Sequence, residues 1–122
     1  MKDYTFYNAN PLNDIESDCV CRAICTAVEL PYTDIERKLE LIGELFECDM
    51  LCVCCYHFLL ENVFGLRQRI ANGKTVKEIA KEFKDKRVII RIEGHLTCSV
   101  NSTVYDIWDC TEEIADVFWV VD

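Results

Sequence analysis

Asp18-Cys19-Val20-Cys21-Arg22-Ala23-Ile24 places a thiol where an apolar-striped segment opens. Far downstream, Gly94-His95-Leu96 and Tyr105-Asp106-Ile107-Trp108-Asp109 place an imidazole and two acids on segments of alternating polarity. A thiol nucleophile needs a base beside it, and that base needs a third group to fix its tautomer and orientation. The order Cys, His, Asp supplies all three. The sequence therefore predicts a cysteine hydrolase that works through a thioester acyl-enzyme. Cys19 is the expected nucleophile, His95 the base and Asp106 the orienting acid, with Asp109 as the alternative acid.

The elements that must carry these residues follow from periodicity. Val20, Ala23, Ile24, Ala27 and Val28 recur at helical spacing, with Asp18 or Ser17 as N-cap and Pro31 as the stop. At the first turn of such a helix, unpaired N–H groups and the helix dipole favour a thiolate. Thr33 is the expected cap of a second helix through Ile35, Leu39, Ile42 and Phe46, slightly weakened by Gly43. Residues 49–64 are apolar nearly all round and predict a buried third helix closed by Gly65. Thr75 and Glu78 have capping-box spacing for a fourth, with Val76, Ile79, Ala80 and Phe83 facing inward.

After residue 87 the period becomes two. Residues 88–92, 95–100, 103–109 and 117–121 read as strands, the middle pair joined by a two-residue turn at Asn101-Ser102. Residues 1–17 read as an irregular lead-in. Helices followed by an antiparallel sheet make an α+β pattern, and 122 residues make one domain, 1–122. If Asn101 and Ser102 form the turn, Val100 faces Thr103, Thr97 faces Asp106 and His95 faces Trp108. His95 then stands diagonally from Asp106, within reach of a side-chain contact. Trp108, one step beyond, is placed to shield that hydrogen bond from water.

The net charge of −9 argues against a nucleic-acid partner, which would call for a surplus of Lys and Arg. Residues 67–93 alone are basic, with 9 Lys and Arg against 4 acids, and Glu78, Glu82 and Asp85 interrupt the run as on a solvated helix surface. No apolar stretch is long enough to span a bilayer, and the amino terminus lacks the pattern of a secretory signal. Nine cysteines, an odd number, then fit a reducing cytoplasm in which most thiols stay free. The sequon Asn101-Ser102-Thr103 reads as a turn.

The remaining thiols raise a rival chemistry. Cys48, Cys52 and Cys55 fall on one face of the expected third helix, and Cys52-X-X-Cys55 followed by His57 resembles a metal or redox motif. A structural zinc site usually wraps the ion with two such pairs in turns, so these cysteines, like Cys21 and Cys25, are read as packing residues. No metal or other cofactor is expected.

Taken in order, the segments around Cys19, His95 and Asp106 resemble the papain-like cysteine peptidase superfamily. Asp106-Ile107-Trp108 is similar to the Asn-Ser-Trp run of papain-type enzymes. Asp18-Cys19 resembles the small bacterial peptidases that trim leader peptides during bacteriocin export, and the three segments together look like small papain-like proteins of bacteria and their phages. The resemblance implies a papain-like fold, with N-terminal helices packed on a C-terminal antiparallel sheet, and a peptide or protein substrate. In that superfamily a Gln before the nucleophile usually helps hold the oxyanion. Here Asn13 is the nearest amide candidate, with the Cys19 backbone N–H as second donor. A catalytically silent papain-like binding module is the alternative class, and a Cys-rich metal-binding protein a third. The residues leave oligomeric state open.

Overall fold

The computed structural model describes residues 3–12 and 18–121. In chain order the elements are β1 (Tyr4–Phe6), α1 (Cys19–Val28), α2 (Tyr32–Phe46), α3 (Val53–Phe58) with a π-helical turn (Leu59–Val63), β2 (Gln68–Ile70), α4 (Val76–Glu82), β3 (Arg87–Ile92), β4 (His95–Val100), β5 (Thr103–Asp106) and β6 (Val117–Val121). The fold is mixed α+β, its strands forming a six-stranded sheet of order β1-β5-β4-β3-β6-β2. All neighbouring pairs are antiparallel except β1 with β5.

Strand alternation divides the core into two layers. Ile89, Leu96, Cys98, Val117 and Trp119 face Ile24, Ile35, Leu39 and Leu59 from the first three helices. Val88, Ile90, Val104, Phe118 and Val120 face Val76, Ile79 and Ala80 of α4. Helices therefore cover both faces of the sheet. The all-antiparallel expectation fails at β1. Three residues are too few for a period of two to register, and β1 becomes a strand because the edge of β5 supplies its hydrogen bonds. The same holds for β2, three residues between Gly65 and Thr75 that pair with the edge of β6.

Trp119, with no exposed surface, anchors the first layer. Tyr56 and His57 meet its ring edge-on at 6.2 and 5.0 Å, and its indole N–H donates to Glu61 Oε2 at 3.0 Å. Truncating such a residue to Ala typically costs about 3–5 kcal/mol.

Local signals set most boundaries. The Thr75–Glu78 capping box is present in both directions. The Asn101-Ser102 turn has φ of 50° and 74°, as a type I′ hairpin requires, and Val100 pairs with Thr103 as expected. Three boundaries differ. α2 starts from Pro31 rather than Thr33, since the proline ring presets φ at −58°. The third helix begins at Val53 because residues 49–52 close a turn, Cys52 N–H to Asp49 C=O at 2.9 Å. It is buried on one side only, through Cys55, Tyr56, Leu59 and Leu60, with Val53 and Val63 about half exposed, contrary to the all-round burial its composition predicts. β5 ends at Asp106 rather than Asp109. Among the described residues, no helix is long and apolar enough to cross a membrane.

Candidate active site

Cys19 is the first residue of α1, so its thiol sits at the helix's positive pole among N–H groups that have no partner within the helix. Asp18 precedes it but does not cap the helix with its side chain. Instead the Asp18 carboxylate accepts hydrogen bonds from Asn10 Nδ2 at 2.8 Å, Tyr32 Oη at 2.7 Å and the Arg22 guanidinium one turn on. Arg22 is 6% exposed, and its Nη2 reaches to 4.0 Å from Asp106 Oδ1. A buried guanidinium keeps its charge only beside anions, and here two carboxylates bracket it. The start of α1 is thereby fastened to the end of β5.

His95 opens β4 directly after Gly94, whose φ of +70° suits a residue without Cβ. Its Nε2 lies 2.6 Å from Asp106 Oδ2, and the ring lines the same cleft as Cys19, close enough to lower the thiol's pKa. The Trp108 indole nitrogen is 3.1 Å from the same His95 Nε2. One ring nitrogen cannot donate to Asp106 and accept from Trp108 at once. The shorter contact to a buried carboxylate takes the proton, and Trp108, its ring centroid 5.2 Å from that of His95, acts as a cover.

The electrostatics follow from these contacts. Burial pushes the Cys19 thiol up, but the neighbouring His95 ring and Leu96 backbone outweigh it and hold the thiol below its ordinary value. Burial opposes charge on His95 as well, yet Asp106 and Cys19 together raise the imidazolium to about 9. Burial works against the Asp106 carboxylate too, and the bonds from His95 and the Ile107 N–H keep it below the usual carboxylate range. The other cysteines near the core behave differently. Desolvation pushes Cys21 and Cys110 up to about 12.

The predicted residues Cys19, His95, Asp106 and Trp108 thus converge. Asp109 does not join them, because its Oδ1 accepts from the Thr111 N–H at 3.0 Å and hydroxyl at 2.6 Å. Asn13 lies outside the described residues. The Asn10 amide is committed to Asp18. Cys110 Sγ stands 3.8 Å from Asp106 Oδ2, but with His95 and Asp106 only 2.6 Å apart there is no room for an ion between ligands that each need about 2 Å.

A cleft of about 470 Å³ opens over Cys19 and His95. Val20, Leu51, Val53 and Tyr56 line it together with residues 91–96 and Asp116. Arg91 Nε lies 3.7 Å from Asp116 Oδ2, and Arg91 Nη1 lies 3.1 Å from His57 Nε2.

The sequence reading missed Arg22, although the spacing Asp18-X-X-X-Arg22 at a helix start is an i,i+4 ion-pair signal. It also missed Leu51 and Val53 as cleft walls, for which spacing gives no sign. Comparison with protein-family models, with curated proteins and with solved structures finds no match.

Proposed function

We propose that the chain is a papain-like cysteine hydrolase that cleaves a peptide-like amide through a Cys19 acyl-enzyme. The observation that carries this reading is the His95 ring, held through Nε2 by the Asp106 carboxylate at 2.6 Å and lining the same cleft as Cys19 at the head of α1.

In the reaction, the Cys19 thiolate attacks the substrate carbonyl carbon and the oxygen takes up the negative charge near the Cys19 N–H. The C–N bond breaks as the His95 imidazolium gives its proton to the leaving amine. His95, now neutral, removes a proton from water as the water attacks the thioester. The acid product leaves and the thiolate and imidazolium are restored. Asp106 keeps the ring in one orientation throughout, and Trp108 keeps water off their hydrogen bond. A lining that combines apolar Leu51 and Val53 with the polar pair Arg91–Asp116 suits an extended peptide or protein segment. A reducing cytoplasm fits a chain of nine unpaired thiols.

The test is substoichiometric alkylation of the native protein at pH 6 followed by peptide mapping. Cys19 is expected to react first, and His95→Ala is expected to abolish that preference. Uniform labelling, labelling led by Cys52 or Cys55, or Cys19 labelling unchanged by His95→Ala would overturn the proposal in favour of a silent binding module.

A further inference from the structure

Away from Cys19, four thiols meet one another. The segment Cys48-X-X-X-Cys52-X-Cys54-Cys55 does not form the helix face that its spacing suggests, because Cys48 and Cys52 precede α3. Cys48 Sγ is 3.3 Å from both Cys54 Sγ and Cys55 Sγ, and Cys54 Sγ is 3.2 Å from Cys52 Sγ. The Cys48, Cys54 and Cys55 sulfurs all lie within 4.8 Å of one another. Cys52 stands at the edge of this triangle. Only Cys55 is buried, and Cys54 is exposed.

We propose that Cys48, Cys52, Cys54 and Cys55 form a binding site for one thiophilic divalent cation of the zinc class. Three arguments carry it. First, the contacts are shared: Cys48 touches two thiols and so does Cys54. Two disulfides, Cys48–Cys55 and Cys52–Cys54, would use all four sulfurs but leave the Cys48–Cys54 contact without a role, whereas a central ion accounts for all three contacts. Second, the size is right. Sulfurs on a zinc ion at about 2.3 Å stand about 3.8 Å apart, so the close contacts need to open by roughly half an ångström, while the half-buried Cys52, which meets Cys54 but lies outside the Cys48–Cys54–Cys55 triangle, has to turn inward. Third, the surroundings are anionic. Glu40, Glu44, Glu47 and Asp49 share the adjoining concavity with Cys48, which favours a cation. Binding replaces the four S–H protons, which pass to solvent, by four metal–sulfur bonds, so uptake strengthens as pH rises.

The site also explains a glycine. A Cβ on Gly43 of α2 would stand 2.9 Å from Cys48 O and 3.2 Å from Met50 Cα, so the ligand loop lies directly on the helix. From there it runs through Leu51 and Val53, the two residues flanking Cys52, to the wall of the Cys19 cleft. A bound ion would therefore fix that wall. This last consequence rests on the proposed function, while the ion site itself does not.

The test takes the full chain, purified reduced from zinc-supplemented medium, and measures metal content and Co²⁺ substitution. About one equivalent of zinc is expected, and Co²⁺ should give the intense visible bands of a tetrahedral centre with sulfur-to-cobalt charge transfer. Cys54→Ser, a near-isosteric change at an exposed position, should remove the fourth thiolate and weaken Zn²⁺ affinity by about 100-fold or more. Cys19→Ser should leave it unchanged, so failure of this site and failure of the hydrolase reading are separable. Substoichiometric zinc with an octahedral Co²⁺ spectrum, affinity untouched by Cys54→Ser, or disulfides among these four cysteines in the reduced preparation would each overturn the proposal.

Discussion

Cys19 and Cys54 are both thiols near the start of a helix, and their neighbours give them opposite chemistry. Cys19 faces an imidazole that is itself held by a buried carboxylate, and its thiol is held below the ordinary range even though burial works against it. Cys54 is exposed, but its partners are Cys52 and Cys48, and hydrogen bonding with those thiols pushes it up to about 11. Exposure alone would rank them the other way. A base and a fixed positive pole make a thiol a nucleophile, while a ring of further thiols makes it a ligand waiting for a cation.

The sharpest way to break this contrast is to delete each thiol in turn. Cys19→Ser is expected to lower turnover of a peptide or thioester substrate by about 10⁵-fold or more, whereas Cys54→Ser should stay within about threefold on the zinc-loaded protein. Steady-state kinetics on both variants decides it. Comparable losses would show that the two regions are one functional unit.

Arg22→Met tests what holds the first region in place. Removing the cation leaves Asp18 and Asp106 buried without it, and breaking such a pair costs about 3–5 kcal/mol. Urea unfolding should register that loss in full, and an unchanged midpoint would mean the bracket contributes nothing.

The pH dependence gives the smallest effect and the finest test. His95 is raised from 6.5 to about 9 in the folded chain, so its contribution to stability is complete below pH 6.5 and is lost as pH rises through about 9. Cys19 is depressed, so its contribution is lost in the other direction, as pH falls through its folded value. Melting temperature measured from pH 6 to 10 should therefore fall across the upper part of that range for the native chain, and should lose most of this slope in His95→Ala.

Much of this was legible in the residues. Cys19, His95 and Asp106 could be placed because each depends on local rules, namely a helical stripe that opens at a cysteine and a two-residue turn that sets hairpin register. The choice of Asp106 over Asp109 followed from counting two strands outward from Asn101-Ser102, and the contact to His95 agrees with that count. What could not be read depends on the third dimension. β1 is a strand only because β5 has an open edge, and the four-thiol nest exists because residues 49–52 turn instead of continuing a helix. Cys54, which sits off the apparent helix face, went unnoticed for that reason.

The π-helical turn at Leu59–Val63 carries a consequence for how the chain can change in length. Its Phe64 N–H reaches back five residues to Leu59 C=O at 3.0 Å, so one turn holds a residue more than an α-helix would. That surplus seats Leu59 and Leu60 side by side in the core, each with no exposed surface, and still aims Glu61 at the Trp119 indole. Removing one residue here would restore an ordinary helix while rotating every later position by about 100°. Glu61 would leave Trp119, and the chain would enter β2 out of phase with β6. The segment is thus a built-in spacer, and its length is matched to a tryptophan in the last strand of the sheet.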